Sequence, residues 1–169
     1  MMRPVLVLAL SLLATAACNG DITGLEPPSD PATETFAASL GINLASYTRT
    51  PDGVYYLDQV VGTGNTVEEL SDSVRVTYAL FLKDGRLVEG STATFAPAGV
   101  IKGFRLGMIG MKVGGKRRII VPSELAYGRV TQYQLQGGVR TIKIPRQSTL
   151  IFDLEVRDVW KTPTTPPAS

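Results

Sequence analysis

The sequence predicts an α+β domain, a mostly antiparallel sheet of about five strands wrapped on one short helix. Three observations carry this. Val74, Val76, Tyr78, Leu80 and Leu82, and again Leu150, Phe152, Leu154 and Val156, recur with the period of two expected of half-buried strands. Ile101, Phe104 and Met108 recur instead with the spacing of one helix face. Asp84-Gly85 sits just after the first alternating stretch, where a tight hairpin turn needs residues that accept positive φ.

In chain order, residues 5–17 come first: 13 apolar or small residues (VLVLALSLLATAA) behind a single cation, Arg3. That is too short to cross a bilayer core of roughly 30 Å, which takes about 20 helical residues. Residues 1–17 therefore predict a secretory signal peptide. Cys18, the one cysteine of the chain, follows directly and resembles the acylated cysteine of bacterial lipoproteins, although Thr15 stands where such sequences usually carry Leu. The plainer alternative is an ordinary cleaved leader. A lone exported thiol has no disulfide partner, which favours lipidation of Cys18. The expected location is the cell envelope, membrane-anchored and facing the periplasm. Asn19 after the cysteine leans toward the outer membrane.

Residues 18–49 predict a lipidated, flexible tether. The stretch 19–35 is rich in Pro, Gly, Asp and Thr with no regular period, and only Phe36, Leu40 and Leu44 suggest a short helix, interrupted by Gly41. The domain itself is expected over 50–160. Residues 54–61 form its first strand, stopped by Gly62-Thr63-Gly64, which lacks the third glycine and following helix of a dinucleotide loop. Residues 86–89 return from the hairpin, and the helix runs from 100 to about 111. Gly103 and Gly107 weaken that helix by up to about 1 kcal/mol each, so packing must hold it. Residues 116–121 make another strand before Pro122. Lys112, Lys116, Arg117 and Arg118 read as a solvated strand-turn face. Residues 161–169 carry three prolines and predict a disordered tail.

Composition excludes more than it proposes. The chain has no histidine, which removes Ser-His-Asp and Cys-His nucleophile systems and His-ligated metal sites. Seventeen cationic side chains against 15 acidic ones leave a net charge of +2, too balanced for affinity built on phosphate neutralisation. No metal, cofactor or nucleic-acid partner is expected.

Several phrases then stop being generic. Val76-Thr77-Tyr78, Lys83-Asp84-Gly85, Val100-Ile101-Lys102-Gly103-Phe104, Met111-Lys112-Val113-Gly114, Leu125-Ala126-Tyr127-Gly128, Ile144-Pro145 and Ser148-Thr149-Leu150-Ile151-Phe152-Asp153 occur in that order. The ordered set resembles the FKBP-type peptidyl-prolyl cis-trans isomerases over residues 50–159. The resemblance implies a bent antiparallel sheet curled around the helix, with a shallow apolar pocket for a proline ring. Tyr78, Val100, Ile101, Tyr127 and Phe152 match pocket positions of the family. Phe104 stands at the floor, where tryptophan is most frequent, and Phe95 matches a pocket-edge phenylalanine. Val88-Glu89 replaces the usual Phe-Asp, shrinking one wall and lengthening the carboxylate arm, so Glu89→Asp is a direct probe: activity should rise if the longer arm is a handicap. The loop over 129–143 is longer than usual, with Ile142 and Ile144 as its candidate pocket residues. Tyr133 there either extends a substrate groove or packs the loop.

This chemistry needs no histidine. Rotation about a peptide bond meets a barrier of about 18–20 kcal/mol because planarity carries resonance, and X-Pro isomers exchange over tens to hundreds of seconds. No covalent bond breaks. An apolar pocket penalises the charge-separated planar amide more than the twisted one. Tyr78, Glu89 and Tyr127 are the candidate catalytic residues. Tyr127 is the implied hydroxyl donor to the substrate carbonyl, and Glu89 is a carboxylate that orients the pocket near Tyr78. Val88, Phe95, Val100, Ile101, Phe104, Ile144 and Phe152 are the candidate substrate-binding residues. The expected partners are proline-containing or unfolded polypeptides, with macrolide inhibitors as ligands of the same pocket. A peptide-binding chaperone with little turnover, and a structural envelope lipoprotein that keeps the fold as a binding module, stay open as alternatives.

Overall fold

The structure, a computed structural model, describes residues 27–68, 72–95 and 99–161. The leader, Cys18 and residues 162–169 lie outside the described residues. In chain order the strands are β1 (Thr48–Arg49), β2 (Tyr55–Val60), β3 (Ser73–Leu82), β4 (Leu87–Phe95), β5 (Lys116–Val121), β6 (Gln132–Gln136), β7 (Val139–Ile144) and β8 (Leu150–Trp160). One helix, α1 (Lys102–Met108), lies between β4 and β5. It is shorter than the expected 100–111. A six-stranded sheet takes the order β1-β2-β5-β8-β3-β4, every neighbouring pair antiparallel, and β6-β7 form a separate two-stranded hairpin. The α+β class is as predicted, with one more strand in the main sheet.

Both faces of this sheet are covered. On one, Val76, Leu80, Ile119, Val121, Phe152 and Leu154 pack with Phe104 and Met108 of α1. The helix sits so close to β5 that a Cβ on Gly103 would lie 2.2 Å from Val121 Cγ1, and one on Gly107 2.6 Å from Ile119 Cδ1. The two glycines give up helix propensity for this approach. Arg117 then joins the layers. Its guanidinium pairs with both oxygens of Asp58 at 2.6 and 2.9 Å and donates to the carbonyls of Gly107 and Ile109 at the end of α1. It also stacks on Tyr56, 4.3 Å from the ring centroid.

On the other face, partner residues in register align Tyr55, Ile120, Ile151 and Phe81 across four strands. Leu40 closes over Ile120 and Ile151, with Phe36, Leu44 and Tyr47 around it. The expected tether is thus a docked strap from residue 27 onward. The predicted short helix is two 3-10 turns, Ala38–Leu40 and Leu44–Ser46, parted by Gly41 at φ 59°. Ser29 and Ser123 exchange hydrogen bonds at 2.9 and 2.8 Å, Thr149 donates to Ser29 Oγ, and Lys83 pairs with Glu34 at 3.0 Å. Proline-rich composition removed helical periodicity here without preventing packing, because caps and side-chain bonds satisfy the backbone instead.

The basic cluster needs a second correction. Lys112 and Lys116 are exposed, but Arg117 is 6% exposed. Arg118 forms a two-pronged pair with Asp153 and donates to the Leu40 carbonyl, pinning the strap. These arginines link layers rather than face solvent. Among the described residues no helix is long and apolar enough to cross a membrane.

Candidate active site

Between the sheet, α1 and the β6-β7 hairpin lies an open cavity of about 550 Å³. Its floor is aromatic. Phe152, paired with Leu80 across β8 and β3, meets Phe104 of α1 with ring centroids 5.0 Å apart and planes at 72°. Phe95, at the end of β4, is 5.3 Å from Phe104 and 5.6 Å from Tyr78. Tyr78 and Phe104 meet edge to face at 6.2 Å. Such contacts hold four rings in fixed orientation, each worth about 0.5–1.5 kcal/mol beyond area burial. Val100 and Ile101, leading into α1, form the half-buried rim beside them. Among the described residues no side chain fills the cavity.

Tyr127 enters from the opposite lip. The loop after the 3-10 turn Ser123–Leu125 is tied by Gly128 N–H donating to the Ser123 carbonyl at 2.8 Å and by Gln147 N–H donating to the Gly128 carbonyl at 2.7 Å. Gly128 accepts the left-handed φ of 54° that this reversal requires. Tyr127 is left 37% exposed at the cavity mouth.

The polar wall is a three-way contact. Tyr78 Oη donates to Glu89 Oε1, and Lys143 Nζ donates to Glu89 Oε2. The two donors hold the Glu89 carboxyl below its ordinary pKa, Lys143 contributing most. Burial first, and then the adjacent carboxylate, push the Tyr78 phenol up to about 12. Tyr78 is a neutral donor fixed on Glu89, and each oxygen of the Glu89 carboxylate carries one donor.

Of the expected site residues, Tyr78, Glu89, Phe95, Val100, Ile101, Phe104, Tyr127, Ile144 and Phe152 line this one cavity. Val88 does not. The register shift from Leu80-Glu89 to Phe81-Leu87 leaves Val88 unpaired in a bulge, and it packs half-buried against the helix-side core beside the cavity, while Glu89 takes the cavity wall. Ile144 is 2% exposed and inside, whereas Ile142 is exposed and outside. Tyr133 lines the cavity, as the groove reading of the long loop expects. Lys143 was not anticipated, because its partner Glu89 lies 54 residues away.

Comparison with known proteins places these features. The profile of the FKBP-type peptidyl-prolyl cis-trans isomerases matches residues 64–157. The FKBP-type peptidyl-prolyl cis-trans isomerase FkpA of Escherichia coli is 35% identical over 135 residues, covering 77% of this chain and 44% of that protein. FK506-binding protein 4 of Dictyostelium discoideum is 37% identical over 117 residues, covering 66% of this chain and 30% of that protein. This chain thus spans less than half the length of either curated relative. The crystal structure of Escherichia coli FkpA superposes with a TM-score of 0.59 at 31% identity, covering 75% of this chain and 56% of that one.

Proposed function

This chain belongs to the FKBP-type peptidyl-prolyl cis-trans isomerase family, and on that basis we propose that it catalyses rotation about X-Pro bonds in polypeptides of the cell envelope. The observation that carries this is the open cavity floored by Phe104 and Phe152 and overlooked by Tyr127. A proline ring bound against Phe104 brings its preceding amide out of water. Desolvating an amide costs roughly 2–7 kcal/mol, and the planar, charge-separated form bears more of that cost than the twisted form. A ten-thousandfold acceleration needs about 5–6 kcal/mol, within that range. Tyr127 donates to the substrate carbonyl and holds it while the imide nitrogen turns. Glu89, its charge balanced by Lys143 and its other oxygen held by the Tyr78 hydroxyl, fixes the polar wall.

Residues 1–17 act as an export leader and Cys18 as the lipid attachment point. Incorporation of labelled fatty acid into the wild type, and none into Cys18→Ser, is the expected result. For the enzyme, a protease-coupled proline-peptide assay on the full chain should give turnover. Phe104→Ala and Tyr127→Phe should each lower kcat/KM by at least about tenfold, close to 1.4 kcal/mol of transition-state stabilisation. Suppression of client aggregation with negligible turnover would establish a peptide-binding chaperone instead.

A further inference from the structure

The β6-β7 hairpin stands apart from the main sheet yet forms one side of the cavity through Tyr133, Lys143 and Ile144. Directly opposed residues of an antiparallel pair share a face, and here Tyr133 opposes Ile142 while Leu135 opposes Arg140. One face of the hairpin therefore carries Tyr133, Leu135 and Ile142 together, 46%, 78% and 55% exposed. Arg140 lies along it, its guanidinium 3.7 Å from the Tyr133 ring centroid. The opposite face carries Gln134 and Thr141. An exposed apolar strip that begins in the cavity wall and runs outward is continuous with the substrate site itself.

We propose that this strip holds the polypeptide on one side of the bound proline, which makes extended, unfolded chains rather than short peptides the favoured substrate class. The inference rests on the isomerase reading of the same cavity. Its occupant follows from that continuity. A chain leaving the pocket past Tyr133 meets Leu135 two residues farther along β6, at roughly 3.3 Å per residue. An extended substrate covers the same distance with about two residues of its own. Apolar side chains in the client then meet Leu135 and Ile142, while Arg140 stays at the edge and accepts an acidic or aromatic neighbour. A tetrapeptide with a single residue on that side of its proline ends before it reaches Leu135.

Two assays on the full chain test this. One is isomerisation of a proline tetrapeptide. The other is catalysed refolding of an unfolded protein whose slow phase is a prolyl step. Leu135→Ser combined with Ile142→Ser should leave the tetrapeptide kcat/KM within about twofold and lower the refolding kcat/KM about tenfold, as expected when buried apolar side chains are lost. Leu135→Asp alone, at the most exposed position, should act in the same direction. Equal loss in both assays, or no loss in either, overturns the proposal. So does sedimentation in which the wild type is a dimer that these substitutions dissociate, since the strip would then be a contact between copies. Absence of tetrapeptide turnover in the wild type overturns the isomerase reading itself, a result separate from any behaviour of the variants.

Discussion

Glu89 reaches two donors at once because its arm is one methylene longer than aspartate's. Tyr78 lies on the neighbouring strand and Lys143 on the hairpin across the cavity. On this geometry the longer arm is not a handicap, since a shorter one must release one donor. Glu89→Asp and Lys143→Met should both lower kcat/KM, by about two- to fivefold, through a loosened wall. Linkage sets the pH signature. The Glu89 carboxyl is depressed in the fold, so its contribution is present above the ordinary 4.5 and lost as pH falls through the lower folded value. The Tyr78 phenol is raised, so its contribution is present below 10 and lost as pH climbs toward about 12. Glu89→Gln should flatten the acid limb of a denaturant-midpoint profile. Because Glu89 is partly exposed, the difference at neutral pH should not exceed about 1 kcal/mol. At this scale the aromatic floor was legible in the sequence, since Phe104, Phe152 and Tyr78 stand in strongly patterned segments. Lys143 was not, because no local spacing pairs it with Glu89.

Among the elements, α1 depends on what presses against it. Gly103→Ala should raise intrinsic helicity by up to about 1 kcal/mol. The added methyl meets Val121 Cγ1, however, so the net effect in equilibrium unfolding should be destabilisation by about 1–3 kcal/mol. A stabilised variant would mean that β5 yields easily to the helix. The β6-β7 hairpin carried its own signal. Gln132, Gln134 and Gln136 alternate with Tyr133 and Leu135, and Gly137-Gly138 supplies the turn with φ of 58° and 80°. Two glycines between alternating residues mark a hairpin. Treating residues 129–143 as an enlarged loop hid that pattern.

For the molecule as a whole, the second cover on the sheet is the main departure from expectation. Its sign was present in Ile119-Ile120-Val121 and Leu150-Ile151-Phe152, consecutive apolar runs that one-sided burial does not explain. Period-two alternation predicted the helix-facing core correctly and left the outward residues of these strands without a partner. Leu40→Ala should cost about 2–4 kcal/mol in denaturant unfolding while tetrapeptide kcat/KM stays within twofold, because Leu40 packs on the face away from the cavity. Removing residues 27–49 should expose the row Tyr55, Ile120, Ile151 and Phe81 and produce strong binding of a hydrophobic dye with aggregation. A truncated protein that stays monomeric and dye-silent would mean that the sheet tolerates water on that side.

The reciprocal bonds between Ser29 and Ser123 have a mechanical corollary. Ser123 opens the turn that presents Tyr127, so tension carried along the strap to Ser29 is delivered at the lip of the cavity. Whatever holds the strap bears on the mouth through these two bonds, so handle and jaw are directly coupled.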